Sequence, residues 1–201
     1  MLLHLKIMIQ FFVIGSSEEA FLETGSATFI SKEELEKFKY SDVNRVLKSV
    51  PGVYIQEEDG FGLRPNIGLR GAHPHRSKKV TIMEDGVLIG PAPYSAPAAY
   101  YFPTPLKMQA IEVFKGPSSV KYGPNSIGGA INLVTKDIAK KQTSFADISV
   151  GTLNKAHVAT SGTYGNIGTL FEGSKLKTDG IKTLPNGENT GFTKNDLMIK
   201  Q

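Results

Sequence analysis

The pattern of hydrophobic and polar residues predicts short helices and short strands in the first two-thirds of the chain. Apolar residues recur at i, i+3, i+4 and i+7 from Val43 to Val50, which predicts an amphipathic helix with Ser41 as its N-cap. Residues 31–34 (SKEE) form a capping box, which predicts a second short helix that ends near Phe38. The amphipathic helix is expected to pack its apolar side against a sheet.

Strands are predicted in the same part of the chain, at residues 53–56, 66–70, 79–83, 87–89, 111–115 and 130–135. Glu84-Asp85-Gly86 joins the third and fourth as a tight hairpin, because Asp-Gly readily takes the positive φ angles of such turns. Helices and short strands in this order predict a small α+β domain. Its expected core consists of Val43, Val46, Leu47, Ile67, Leu69, Val80, Ile82, Ile111, Val113, Ile131 and Leu133.

A weaker pattern begins near Thr143, where strands are predicted at residues 145–150, 157–164, 169–177 and 197–200. Apolar and polar residues alternate only faintly within them. Strands of transmembrane β-barrels give such a signal, with segments of about 10 residues that face lipid and lumen in turn. A further soluble β-hairpin fits almost as well, so the pattern alone leaves both interpretations open.

Composition excludes several classes of function. The chain has 201 residues, a net charge of +4 and no cysteine, so neither disulfides nor thiolate metal sites are available. The lysines are scattered and form no basic stripe with aromatic residues, which argues against nucleic-acid binding. The sequence has no Walker loop, no Gly-x-Ser-x-Gly elbow and no His-Glu-x-x-His motif, so an enzyme is not expected. The longest apolar run, residues 7–14, is shorter than the roughly 20 residues of a membrane-spanning helix.

The most informative segment is GPSSVKYGPNSIGGAINLVTK at residues 116–136. Pro117 suits the first turn of a helix, where its missing N–H costs nothing, and Gly123 suits a helix C-terminus. Gly128 and Gly129 allow a sharp bend before a buried strand. The segment therefore predicts a glycine turn, one helical turn, a second glycine turn and a final strand.

This segment resembles the end of the plug domain of TonB-dependent outer-membrane receptors, which import ferric chelates and cobalamin. The motifs before it follow in the order of that family: DVNRVLKSVPGV at 42–53, RPNIGLRG at 64–71, VTIMEDGV at 80–87 and IEVFKG at 111–116. The resemblance covers residues 13–136. Residues 92–103 (APYSAPAAYYFP) resemble the ferric-citrate type of receptor in particular.

The resemblance implies three parts: a signal peptide or remnant segment at 1–17, a plug domain at 18–140, and the first barrel strands at 141–201. Receptors of this kind close a barrel of about 22 strands around the plug. The residues after 140 suffice for roughly four such strands. We therefore expect an α+β plug followed by antiparallel strands of an incomplete transmembrane β-barrel, in a truncated or split receptor that does not transport alone.

In this family, two loops of the plug point toward the extracellular ligand. The first contains His73, His75 and Arg76, and the second contains Tyr94 and Tyr100. Ferric citrate and many siderophores are anionic, and a guanidinium binds carboxylates bidentately, so Arg76 is the main expected ligand contact. Two histidines without a third ligand hold a metal poorly, so no metal site is expected. The plainer interpretation is a solvated loop for the first group and packing contacts for the second.

The resemblance also implies two kinds of contact with other parts of a receptor. Arg70 and Lys115, at the ends of two neighbouring strands, pair with glutamates of the barrel wall and lock the plug in the pore. Phe12, Val13 and Ile14 occupy the position of the segment that binds TonB by strand addition, although the usual acidic or threonine residue before it is missing.

The resemblance therefore implies the plug portion of a receptor for ferric chelates such as iron(III) dicitrate, in the outer membrane of a Gram-negative cell. Iron arrives as part of the substrate, so no resident cofactor is expected. The expected partners are the chelate, TonB, and the missing barrel segment or the membrane. Two alternatives remain: a soluble periplasmic plug-like module for binding or signalling, and an inactive product of a truncated gene.

Overall fold

The computed structural model describes residues 14, 16–23, 25–89, 101–123 and 125–201. Outside these residues lie the expected TonB contacts Phe12 and Val13 and the expected ligand contacts Tyr94 and Tyr100. Contacts between Cα atoms divide the chain into two units, Met1–Thr135 and Lys136–Gln201. No helix in the described ranges is long and apolar enough to cross a membrane.

The described residues of the first unit form short helices and a small mixed sheet. The helices are α1 (Ser17–Leu22), α2 (Lys32–Phe38) and α3 (Val43–Leu47). The strands are β1 (Ser26–Ile30), β2 (Val53–Gln56), β3 (Asn66–Leu69), β4 (Val80–Glu84), β5 (Val87–Leu88), β6 (Met108–Lys115) and β7 (Gly129–Thr135). One five-stranded sheet has the order β1-β6-β7-β4-β5, and β2 and β3 form a separate antiparallel pair. This arrangement confirms the predicted α+β fold.

The predicted hairpin between β4 and β5 forms with a two-residue turn, because Glu84 belongs to β4. Asp85 and Gly86 both have positive φ angles, 49° and 78°, which match the twist of paired strands. The Asp85 carboxylate also accepts the Thr135 N–H at 2.8 Å, at the end of β7. β7 runs parallel to β4 and antiparallel to β6. The turn is therefore tied to the centre of the sheet.

The helix caps confirm one prediction and correct another. Ser31 Oγ accepts the Glu34 N–H at 3.3 Å, and the Glu34 carboxylate accepts the Ser31 N–H at 2.9 Å, which is the predicted capping box of α2. Ser41 as the N-cap of α3 is wrong. Asp42 caps this helix and accepts the Asn44 N–H at 2.8 Å. A carboxylate at this position also interacts favourably with the helix dipole, which a serine hydroxyl does not.

The sequence pattern did not predict α1 and β1. α1 buries Ala20 but leaves Phe21 and Leu22 exposed, so it has no apolar stripe for a periodicity to reveal. β1 is an edge strand of five residues whose partner, β6, lies far along the chain. Neither element therefore leaves a clear local signal.

The main core lies on one face of the five-stranded sheet, where side chains from α3, β3, β4, β6 and β7 form one apolar cluster. All the residues expected in the core are buried in this cluster, which confirms that prediction. Four further buried members are Ile30, Val50, Phe102 and Met108. The alternation of the strands and the helical period of α3 were sufficient to identify most of the cluster.

The segment after β6 also forms as predicted. A 3₁₀ helix, Pro117–Tyr122, begins after Gly116 and ends before Gly123. β7 then begins at Gly129 with a φ of 152°, where a Cβ would lie 2.4 Å from the Phe114 carbonyl oxygen. Glycine is therefore required for the close approach of β7 to β6.

The described second unit is a sheet of four antiparallel strands in the order β11-β10-β9-β8. Their bounds are β8 (Thr143–Ser149), β9 (Asn154–Tyr164), β10 (Ile167–Thr178) and β11 (Phe192–Lys200). Each strand is longer than predicted, because the small and polar residues at the strand ends also join the ladder. The antiparallel strands predicted for this region are confirmed.

The two faces of this second sheet differ in chemistry. On one face Glu172 is 3% exposed, and its Oε1 accepts from Lys136 Nζ at 2.6 Å and lies 2.5 Å from His157 Nε2. The opposite face exposes large apolar side chains on all of its strands: Ile148, Val158, Phe171, Leu197 and Ile199. An apolar face of this extent requires a non-aqueous environment or a partner to cover it.

We expect Gly129→Ala to lower the free energy of unfolding of the chain by roughly 2 kcal/mol or more, because it combines a strained φ with a clash against backbone. Gly151→Ala is the control, since a Cβ there meets nothing within 4 Å. Urea denaturation followed by circular dichroism measures both variants. Equal stabilities for the two variants would contradict the close approach of β7 to β6.

Candidate functional site

The loop of residues 71–79, which joins β3 to β4, carries the first group of expected ligand contacts. Ser77 lies at the base of this loop and is 0% exposed. Its hydroxyl accepts the Ile67 N–H at 3.0 Å and donates to the Pro65 carbonyl oxygen at 3.0 Å. A buried hydroxyl with both of these bonds fixes the end of the loop to the start of β3.

Asn66, buried at the start of β3, braces the same loop from a second position. Its Oδ1 accepts the Arg76 N–H at 2.7 Å, and its Nδ2 donates to the Gln56 carbonyl oxygen at 3.2 Å. Arg76 and Ser77 both have left-handed backbone conformations, with φ angles of 52° and 54°. Residues other than glycine hold this conformation only when the surrounding structure fixes it. Here the hydrogen bonds of the Asn66 and Ser77 side chains fix it.

Around this fixed backbone, the side chains of His73, His75 and Arg76 are exposed. The centroids of the two imidazole rings are 6.3 Å apart, with the rings edge-on to each other. The backbone N–H of His75 donates to His73 Nδ1 at 3.2 Å. Three of the expected ligand contacts thus lie together in one loop. A guanidinium beside two imidazoles provides hydrogen-bond donors suited to an anion. Among the described residues, no group of three His, Cys, Asp or Glu side chains could hold a metal ion.

Arg70 and Lys115 lie in different sheets, so the expectation that they end neighbouring strands is wrong. Arg70 follows β3, which pairs with β2, whereas Lys115 ends β6 of the five-stranded sheet. The two sheets pack together, and this brings the charges close. The Arg70 guanidinium lies against Gly116, where a Cβ would be 2.4 Å from Nη1. Lys115 is 6% exposed, and its Nζ donates to the Pro51 carbonyl oxygen at 2.9 Å.

The electrostatics of this pair are unfavourable for the chain by itself. Burial and the neighbouring Arg70 charge both lower the pKa of Lys115. Neither cation has a carboxylate partner among the described residues. A buried cation without a counter-charge is costly, so this corner of the first unit suits a carboxylate supplied from outside it.

Ile14 is the one expected TonB contact within the described residues. It is 4% exposed and packs with Ala20, Met83, Phe114 and Ala130. These residues lie on the face of the five-stranded sheet opposite the main core. In this structure, Ile14 is therefore seated on the sheet rather than presented to solvent.

The sequence did not identify the residues that hold these groups in place. Asn66 and Ser77 bond to backbone at least ten positions away, so no local motif reveals their roles. Glu112 and Asn132, which are buried beside each other on β6 and β7, were also missed. A glutamate within the apolar run IEVF was the only signal that could have drawn attention to Glu112.

A family model described as TonB-dependent Receptor Plug Domain matches residues 21–130. The chain belongs to this family. It is 30% identical over 178 residues to the vitamin B12 transporter BtuB of Vibrio vulnificus. The matched region covers 86% of this chain and 28% of that protein. The chain also shares its fold with the ferric citrate transporter FecA in the unliganded form, at 24% identity and a TM-score of 0.64, over 83% of this chain and 30% of that one.

The siderophore receptor PirA from Pseudomonas aeruginosa is a further structural neighbour. It has 22% identity and a TM-score of 0.59, over 87% of this chain and 31% of that one. The chain therefore spans less than a third of the length of these relatives. The relatives are transporters and receptors and not enzymes, which agrees with the missing catalytic motifs. The family predicted from the sequence motifs is confirmed.

Ser77→Ala should lower the free energy of unfolding by about 2 kcal/mol, because it leaves the buried Ile67 N–H and the Pro65 carbonyl oxygen without a partner. Arg76→Ala, at the adjacent position, should change it by less than about 0.5 kcal/mol, since that side chain is exposed. Urea denaturation of both variants compares the two directly. A neutral Ser77→Ala variant would show that the serine does not brace the loop.

Proposed function

We propose that the chain is the plug portion of an outer-membrane receptor that takes up a ferric chelate of the iron(III) dicitrate type. The observation that carries this proposal is the rigid loop that exposes Arg76 between braces formed by Asn66 and Ser77. Ferric citrate is an anionic complex with carboxylate oxygens at its surface, and a guanidinium binds carboxylates through two parallel hydrogen bonds. A backbone that is already ordered also lowers the entropic cost of binding.

The residues of the loop divide the recognition between them. Arg76 supplies charge, and His73 and His75 supply hydrogen bonds and flat surface. Tyr94 and Tyr100, from the second expected loop, would add rigid apolar surface and hydroxyl groups. Iron remains inside its chelate throughout, so the plug needs no iron ligand of its own.

The remainder of the chain supports a setting in the outer membrane. The exposed apolar face of β8–β11 suits lipid and the polar face suits the interior of a barrel, as in transmembrane strands that alternate between the two. Arg70 and Lys115, which have no carboxylate partner in the described part of the chain, would gain one if glutamates of a barrel wall surrounded the plug. A soluble periplasmic module would leave both the apolar face and these cations unaccounted for.

Cobalamin is a second candidate ligand, and the relation to BtuB is the observation that favours it. Cobalamin is larger than ferric citrate and presents neutral amide groups around its ring. An exposed guanidinium therefore contributes less to its recognition than to that of a polycarboxylate complex. TonB would be the energising partner for either substrate.

The test compares this chain alone with a receptor in which a complete barrel surrounds the same plug. We expect the chain alone to bind ferric citrate only in the millimolar range, because an exposed ion pair contributes about 0–1 kcal/mol. Within the barrel, where the loop is desolvated, Arg76→Ala should weaken binding by about tenfold or more, as expected for a lost hydrogen bond to a charged group. Isothermal titration calorimetry measures the affinity for ferric citrate in both settings.

Lys140→Ala serves as the matched control, since it removes an exposed cation outside the loop. It should leave affinity unchanged. Micromolar binding by the chain alone, or full affinity after removal of Arg76, would refute the assigned site. Tight binding of cobalamin with none of ferric citrate would favour the second candidate.

A further inference from the structure

The face of the five-stranded sheet opposite the main core contains a buried carboxyl group. Glu112 on β6 is 0% exposed, and Asn132, its direct partner in the ladder on β7, is 2% exposed. The side chains that surround them form a small apolar cluster: Ile14, Ala20, Met83, Phe114 and Ala130. A charged carboxylate in such surroundings is strongly disfavoured unless it is paired.

Glu112 accepts hydrogen bonds from two donors, one on a side chain and one on the backbone. Asn132 Nδ2 donates to Oε2 at 2.9 Å, and its orientation is fixed because Asn132 Oδ1 accepts the Gly86 N–H at 2.9 Å. The second donor is the backbone N–H of Ile14. The other carboxyl oxygen, Oε1, is buried without a hydrogen-bond partner in the described part of the chain, and so is the Tyr122 hydroxyl.

Burial without an ion pair favours a protonated carboxyl group over a charged one, and it outweighs the two donors, which act in the opposite direction. A buried oxygen without a donor is more costly on a carboxylate than on a carboxylic acid, which can carry a proton there. No cation forms an ion pair with Glu112 among the described residues. Lys121, which acts on it electrostatically, pairs with Glu23 at 3.2 Å. The geometry thus suits a proton on Oε1 for as long as the site stays covered.

The cover over this carboxyl group is weak by itself. α1 has six residues and buries Ala20, and helices this short do not persist in water without packing. Ile14 adds one apolar side chain and one hydrogen bond to the sheet. A single buried charge beneath such a small element is sufficient to change whether it remains in place.

We propose that Glu112 is a proton-operated clasp for the N-terminal segment: a proton on Oε1 keeps Ile14 and α1 seated on the sheet, and its loss drives them off. The proton passes to solvent water, and detachment lets water solvate the carboxylate that remains. Ile14 ends the segment expected to bind TonB. Under the proposed function, on which this consequence rests, the clasp therefore determines when that segment is available.

The direction of the pH dependence follows from linkage. Burial is the main cause that raises the pKa of Glu112, and the Glu23 charge acts in the same direction, whereas the Asn132 and Ile14 donors and the Lys121 charge lower it. Together they place the pKa of Glu112 at about 7. Once the segment detaches, the carboxyl group returns toward its ordinary pKa of 4.5. The seated state thus binds the proton more tightly, so its advantage is complete below pH 4.5 and is lost as the pH rises through 7.

Besides Glu23 and Lys121, the other titratable groups near the clasp are Tyr122, Glu18 and Glu19. Burial, and then the Glu112 and Glu23 charges, raise the pKa of Tyr122, which keeps that phenol neutral in this range. Glu18 and Glu19 lie on α1 itself and are exposed. β1, which flanks the site, contains no titratable residue.

Hydrogen exchange measured by mass spectrometry on the full chain tests the clasp. Between pH 5 and pH 7, protection of the α1 peptide, corrected for intrinsic exchange, should fall by up to about tenfold per pH unit and then level off. The β6 and β7 peptides should stay protected throughout. Glu112→Gln, a neutral isostere, should keep α1 protected at every pH, whereas the control Glu58→Gln, at an exposed position, should retain the original profile.

A second pair of variants tests the other side of the contact. Ile14→Pro removes the N–H that Glu112 accepts, and Ile14→Val keeps it with a side chain of similar size. Protection of α1 should fall in the proline variant at each pH and stay close to the original in the valine variant. This pair remains informative even if Glu112→Gln does not fold.

Two results would overturn the clasp: α1 protection that does not change with pH, or loss of α1 and β6–β7 protection together. A separate arm adds the periplasmic domain of TonB at each pH. If α1 loses protection between pH 5 and pH 7 as expected and TonB does not bind, the clasp is supported and the TonB part of the proposed function is refuted. Binding of TonB without any pH-dependent detachment refutes the clasp alone.

Discussion

The antiparallel pairing of β6 with β7 is the contact on which the rest of the plug depends. Both strands are buried almost throughout, and each pairs with a further strand, β1 on one side and β4 on the other. Strands buried on both faces must satisfy their backbone groups within the sheet, so neither can shift without breaking several ladders. Gly129 makes their close approach sterically feasible. The same pairing places Glu112 opposite Asn132, so the position of this buried carboxyl group is set by the register of the central strands.

The regular part of this architecture could be predicted because it depends on local patterns. β2 was predicted residue for residue, and the β4–β5 turn followed from Asp85-Gly86 alone. α1 and β1 could not be predicted, since one has a single buried residue and the other depends on a partner far along the chain. At the start of α3, Ser41 and Asp42 were both chemically suitable caps, and the choice between them depended on the backbone path into the helix.

The candidate site shows the same division between local chemistry and distant contacts. Arg76 could be proposed as a ligand contact from its charge, its place in a loop and the family resemblance, and that assignment stays a prediction. Asn66 and Ser77 could not be identified, because only the folded chain brings their side chains to backbone groups of other segments. The motifs placed Arg70 and Lys115 at the ends of strands but did not show that these strands belong to different sheets, since the order of strands along the chain does not determine which of them pair.

The braces of the loop at residues 71–79 have a consequence for how this protein can change over time. The Asn66 side chain accepts a backbone N–H of the loop, and the Ser77 side chain bonds to backbone groups at the start of β3, whereas the side chains of His73, His75 and Arg76 are exposed. Replacement of an outward side chain therefore leaves these bonds intact, with two exceptions at position 76: proline lacks the N–H that Asn66 accepts, and β-branched residues disfavour the left-handed backbone. Descendants of this gene can exchange the displayed side chains one at a time, and so acquire new ligands, while each intermediate still folds.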